Sequence, residues 1–135
     1  MLRNLWYEGL VLHARVLRDF FFTKVKENGK RDTRKDDIVA VDYFATPAAW
    51  AYTSKTLSPY LAKTKDRMDR TLAHLSFDRL QYKGQAKEWS SNSLLSEIGA
   101  RWFDFLDQLQ QRNEPAAVWF LELARKRQIP VSPPL

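Results

Sequence analysis

Four side chains near the middle of the chain have the types and spacing to act together. Lys63, Arg67, Arg70 and His74 follow at steps of four, three and four, the spacing that stacks side chains on one face of an α-helix. Three cations beside an imidazole form an anion-binding set. A guanidinium grips phosphate through two parallel N–H bonds, and histidine moves a proton near neutral pH. The same face also reads as a solvated basic stripe with a histidine hydrogen-bonded at its edge, the ordinary condition of a surface helix. The second histidine, His13, lies in the first apolar stretch. It reads either as a neutral ring bonded to a buried partner or as a pocket residue facing His74.

Other chemistries are removed by composition. The chain has no cysteine, so disulfides and thiolate metal sites are out. Its two histidines sit in separate helical stretches, which leaves no zinc-type ligand set. Four glycines do not build a phosphate loop or a dinucleotide fingerprint, and no motif supports a serine triad. Asp36, Asp37 and Asp42 do not share a face, so they do not form a hard-cation site. Asp36 and Asp37 instead suit the first turn of a helix. No metal and no cofactor is expected.

The element that must carry the basic set is a helix over Tyr60 to Leu80. Ser58-Pro59 starts it: the serine oxygen accepts a first-turn N–H, and proline at the first helical position has its φ already set. No Gly or Pro follows until Gly84, so about six turns can run unbroken. Leu61, Met68, Leu72 and Leu75 fall on one narrow stripe, and Ala62, Ala73, Phe77 and Leu80 on a second arc. Two apolar arcs predict a helix sandwiched between neighbours.

Around it, Leu2 to Phe22 reads as a long helix whose apolar face comprises Trp6, Gly9, Leu10, His13, Val16, Leu17 and Phe20, with Arg15, Arg18 and Asp19 directed elsewhere. Thr23 to Lys35 is polar and rich in Lys and Arg (Lys24, Lys26, Lys30, Arg31, Arg34, Lys35). It reads as an exposed loop, either merely solvated or able to contact a phosphate backbone. Thr33 to Asp36 has capping-box spacing and predicts a short helix from Lys35 to Phe44, although Ile38 to Val41 has strand propensity. Thr46-Pro47 predicts one or two further helical turns. Gln81 to Ser93 reads as a linker, and Ser93 as the cap of a helix to Arg112 with the stripe Leu95, Ile98, Trp102, Phe105, Leu106 and Leu109. Asn113-Glu114-Pro115 ends that helix and begins another, Ala116 to Arg127, whose last cations suit its C-terminal dipole. The expected architecture is an all-α helical bundle of four main helices plus one or two short ones, residues 1–129 forming one domain and 130–135 a loose Pro-rich tail.

The basic helix and its neighbours carry a family resemblance. The stretches DRTLAHLSFDR (69–79), HARVLRDFF (13–21) and RKDDIVAVDYF (34–44) resemble bacterial members of the HEPN superfamily over the first 80 residues or so. Those are helical-bundle proteins, often dimeric, many of them metal-independent ribonucleases with an arginine and a following histidine separated by four to six residues. The resemblance implies an RNA partner, a homodimer, and catalytic roles for His74 with Arg67 or Arg70, backed by Lys63 and His13. His74 would be base or acid in 2′-OH attack, and a guanidinium would stabilise the developing charge. The sequence departs from the commonest spacing, which puts Asp69 at the arginine position. Arg67 leaves six residues before His74, and Arg70 leaves three. That departure supports the alternative, a non-catalytic helical module that binds a protein partner or itself.

Size and charge agree with either reading. The chain has 135 residues, 44% hydrophobic and 28% charged, which is a globular composition with a real core. Its net charge of +6 and pI near 9.7 favour polyanionic partners. Five Trp, five Tyr and eight Phe at helical spacing point to a core or an interface more than to base stacking. No apolar run reaches membrane-span length and no signal-peptide pattern opens the chain. A cytoplasmic address without a membrane partner is expected.

Overall fold

The computed structural model describes residues 2–26, 28, 30–31, 36–50, 57–71 and 91–135, with side chains over the same ranges apart from 2–8, 66–71 and 91. The described part is all-α. Four helices follow in order: α1 (Leu2–Phe22), α2 (Pro59–Thr71), α3 (Ser91–Gln111) and α4 (Ala116–Arg127). Two 3-10 turns, Ala40–Tyr43 and Pro47–Ala49, stand between α1 and α2. The one β feature among the described residues is an isolated antiparallel bridge, Val25 to Arg31. The chain divides into two compact units, Met1–Arg18 with Leu57–Ile98 and Asp19–Thr56 with Gly99–Leu135.

Helix α1 does not bury the stripe its sequence suggests, whereas α3 departs from its expected stripe only at the start and buries Ile98, Phe105, Leu106 and Leu109 as expected. Among the described side chains of α1 in the first unit, Val11, Ala14 and Arg18 are buried, at steps of three and four, whereas Leu12, Val16 and Leu17 are exposed. The Glu8, Arg15, Arg18 and Asp19 positions gather on one side of the helix, and the buried face is rotated onto the edge of that side, so packing and not the pattern selects it. Arg18, expected to point away, is only 3% exposed. In α3, Leu94 is buried and Leu95 exposed, a one-residue correction to the expected stripe. In α2, Leu61 is buried as expected, while Ala62 is exposed rather than part of a second buried arc.

The second unit is organised by Phe105, which is fully buried. Phe20, Phe21, Tyr43, Phe44, Trp50 and Phe120 meet it edge-to-face, with centroids 5.0–6.1 Å away. That arrangement sets ring edges against the negative faces of their neighbours, worth about 0.5–1.5 kcal/mol per pair beyond the area buried. These rings come from three helical segments and from the chain between α1 and α2. The cluster therefore ties sequence-distant pieces together, and it answers the aromatic excess with a core.

The same cluster finishes helix ends. The last carbonyls of α1 have no partner within the helix. The Trp50 indole N–H donates to the Phe21 carbonyl at 2.8 Å, and the Thr23 hydroxyl donates to the Asp19 carbonyl at 2.6 Å. Trp50 is thus both a buried ring and a C-terminal cap. At α4, Gln128 takes a left-handed conformation, φ 54°. Ile129 N–H then reaches the Ala124 carbonyl at 2.9 Å and Gln128 N–H the Arg125 carbonyl at 3.3 Å, the Schellman pattern.

Three boundaries differ from expectation. The Lys35–Phe44 segment is not an α-helix: Asp36 to Val39 are non-helical and only Ala40–Tyr43 turns, as 3-10. Val39 is extended, φ −130° and ψ 164°, and its N–H donates to the Asp42 carboxylate at 2.9 Å. A carboxylate three residues on thus starts the turn here; the Thr33 box lies outside the described residues. The Thr46-Pro47 signal likewise yields 3-10, Pro47–Ala49, rather than α. Helix α3 begins at Ser91, two residues before Ser93. The ends of α1 and α4 fall where the sequence puts them, and the tail after Arg127 is non-helical and exposed. Its first proline is held, because the Trp102 indole N–H donates to the Pro130 carbonyl at 2.9 Å.

Candidate functional site

The basic ridge belongs to α2, and the start of that helix is built as the sequence requires. The Ser58 hydroxyl accepts the Leu61 N–H at 3.2 Å, while its carbonyl accepts the Ala62 N–H at 2.8 Å. Pro59 is the first helical residue. Leu61, with no exposure at all, fixes the rotation of the helix. At 100° per residue, position 63 lies about 160° round from it, and positions 67 and 70 fall within about 40° of position 63. Lys63 is exposed accordingly. The backbone therefore sets Lys63, Arg67 and Arg70 at positions along one face of the helix, opposite the buried leucine. Asp66 and Asp69 occupy neighbouring positions on the same helix, so its four cations are partly balanced.

His74 lies outside the described residues, and the side chains of Arg67 and Arg70 are likewise not described. The described part of the set is thus Lys63 and the register of the two arginines.

His13 is exposed, contrary to the reading that buries it against a partner. Its Nδ1 lies 2.7 Å from the Gly9 carbonyl, one turn back on the same helix. In the neutral ring that bond puts the proton on Nδ1 and leaves Nε2 as the acceptor, directed away from the bond. A ring so arranged keeps one nitrogen free for solvent or ligand.

The polar constellation that composition did not reveal joins Arg31 to Asp42. Both guanidinium Nη atoms donate to the Asp42 carboxylate, Nη1 to Oδ2 at 2.9 Å and Nη2 to Oδ1, and Nη1 also reaches the Asp37 carbonyl at 3.2 Å. Burial pushes the Asp42 carboxyl up, but the Arg31 hydrogen bond, the Val39 N–H and the Arg31 charge outweigh it and hold the group below its ordinary value. The hydrogen bond to Asp42 raises Arg31 in turn, against a smaller effect of burial. The pair is a fork-on-carboxylate clamp of the kind only arginine makes. Its sequence signal, eleven residues of separation across a polar loop, carries no periodicity from which to read it.

Among the described residues no three His, Asp or Glu side chains converge as a metal site would need, and no helix is long and apolar enough to cross a membrane. Comparison of the chain with family models, with curated proteins and with solved structures finds no match.

Proposed function

We propose that this protein is an RNA-binding helical domain of HEPN-like type, with the α2 ridge as its phosphate contact. The observation that carries the reading is the register of α2: a buried Leu61 turns the Lys63, Arg67 and Arg70 positions to one side, and Lys63 stands in solvent. The net charge of +6 supports it, since cations aligned on a ridge release counterions from a polyanion on binding. In the fuller form of the proposal, two copies pair and His74 of each supplies the proton transfer for metal-independent cleavage, with Arg67 or Arg70 stabilising the charge that develops.

The test is binding of a fluorescein-labelled single-stranded RNA by anisotropy at several salt concentrations. The Lys63→Gln/Arg67→Gln/Arg70→Gln variant is expected to lower the slope of log affinity against log salt by about 2, from roughly 0.7 per lost cation. An unchanged slope removes the ridge from the interface. Cleavage is tested separately, with EDTA present. Equal cleavage by wild type and His74→Ala ends the catalytic role and leaves binding alone.

A second reading, a helical module that associates through an apolar surface, is favoured by Leu12, Val16 and Leu17 on the exposed side of α1. Under that reading the protein elutes as a dimer or with a protein partner and binds RNA no better than a charge-matched control.

A further inference from the structure

The cations of the first loop are the strongest charged feature outside α2, and their geometry is not that of a merely solvated run. From Thr23 to Lys26 exposure alternates residue by residue: Thr23 buried, Lys24 exposed, Val25 half-buried, Lys26 exposed. That period of two is the signature of an extended strand with one face inward. The returning arm matches it. Val25 pairs with Arg31 in an antiparallel bridge, which brings Lys26 opposite Lys30, and the Lys26 N–H donates to the Lys30 carbonyl at 2.8 Å. Lys30 is exposed, while Arg31 turns in and is clamped by Asp42. The Asn28 side-chain carbonyl accepts the Lys30 N–H at 3.1 Å.

The result is a short hairpin whose outer side carries Lys24, Lys26 and Lys30. Residues two apart on one arm stand about 6.6 Å from each other, and directly opposed residues about 5 Å, so the three ammonium groups emerge as one cluster. Among the described residues no ion pair joins a carboxylate to any of the three, whereas their neighbour Arg31 is paired with Asp42. The fourth cation of the loop, Arg31, is spent on Asp42, and that bond holds the base of the hairpin to the 3-10 turn at Ala40–Tyr43. Three like charges brought together on paired arms repel one another unless a polyanion neutralises them.

We infer that this hairpin is a second phosphate-backbone contact, in which Lys24, Lys26 and Lys30 grip successive phosphodiesters of an RNA strand. The choice of ligand rests on the RNA-binding reading above, but the residues and the unit that holds them are different. Compact ammonium groups without a planar fork suit sequence-independent point contacts to phosphate rather than base readout.

The experiment uses the full chain and a fluorescein-labelled oligouridylate, with vesicles containing phosphatidylserine as a separate arm. The variant Lys24→Gln/Lys26→Gln/Lys30→Gln changes only exposed side chains, and an unaltered circular-dichroism melt verifies its fold. Its salt slope is expected to fall by about 2 relative to wild type, in addition to the loss caused by the α2 variant. Wild-type binding with an undiminished slope in the hairpin variant overturns this inference and leaves the α2 ridge standing. Absence of RNA binding by the wild type overturns both. Hairpin-dependent binding to the vesicles alone assigns the lysines to a lipid surface and overturns the RNA contact.

Discussion

At the scale of single residues, Asp42 joins two parts of the chain through one carboxylate. It takes two guanidinium nitrogens of Arg31 and the Val39 N–H, so one carboxylate locks the loop base and starts a 3-10 turn. Both partners keep about a quarter of their side-chain surface in solvent, which caps the value of the pair. Asp42→Asn is expected to cost about 1 kcal/mol in urea unfolding at neutral pH, the upper end for an exposed ion pair. The pH dependence follows from the direction of the shift. The folded carboxyl titrates below its unfolded value, so its stabilisation is fully present above about pH 3.9 and is lost as pH falls through the folded value. The gap between wild type and Asp42→Asn should therefore be constant from pH 5 to 7 (about 1 kcal/mol) and close on acidification. A gap that widens in acid contradicts the assignment. His13 makes a different point. Its neighbours in sequence are apolar, yet it stands in solvent with its Nδ1 bonded within its own helix.

At the scale of elements, the helices are fixed by their ends more than by their middles. Ser58-Pro59 starts α2, Asn113 to Pro115 separates α3 from α4, and Gln128 closes α4. The first two are readable as local signals because the bonds involved span only a few residues, whereas the left-handed turn at Gln128 carries no glycine or asparagine to announce it. Replacing Ser58 by Ala should destabilise by about 1 kcal/mol, measured as a lower midpoint of thermal unfolding. Gly99 carries the opposite expectation. It lies inside α3, and a Cβ built on it meets nothing within 4 Å. Gly99→Ala should raise stability by about 0.5–1 kcal/mol, since the helix interior gains a better former with no clash. A decrease in unfolding midpoint would show that this surface is covered in solution.

At the scale of the whole molecule, the two compact units divide the labour differently. One unit includes the α2 ridge and the other holds the aromatic cluster and the lysine hairpin. The cluster is where stability concentrates, because Phe105 has no exposure and joins rings from distant parts of the chain. Phe105→Ala is expected to cost about 3–5 kcal/mol, seen as a large loss in urea midpoint and a collapse of the near-ultraviolet signal from Trp50. RNA binding, if it uses both the ridge and the hairpin, should show a steep salt dependence that each triple variant reduces in part and their combination nearly abolishes. That additivity belongs to the whole chain, since neither set of cations alone accounts for it.

The sequence by itself determined the all-α class, the full extents of α1 and α4, the starting signal of α2 and the common face of Lys63, Arg67 and Arg70. All of these follow from interactions within a turn or two, or from the fixed pitch of the helix. Tertiary structure decided which side of α1 is buried, because Leu10, Val11 and Leu12 offer no contrast for a periodicity to detect. It also decided that Val39–Tyr43 makes a 3-10 turn, that Trp50 caps α1 from 29 residues away, and that Arg31 turns inward to Asp42 while three lysines turn out. Those outcomes depend on partners distant along the chain, and spacing cannot encode a contact whose other half is set by packing.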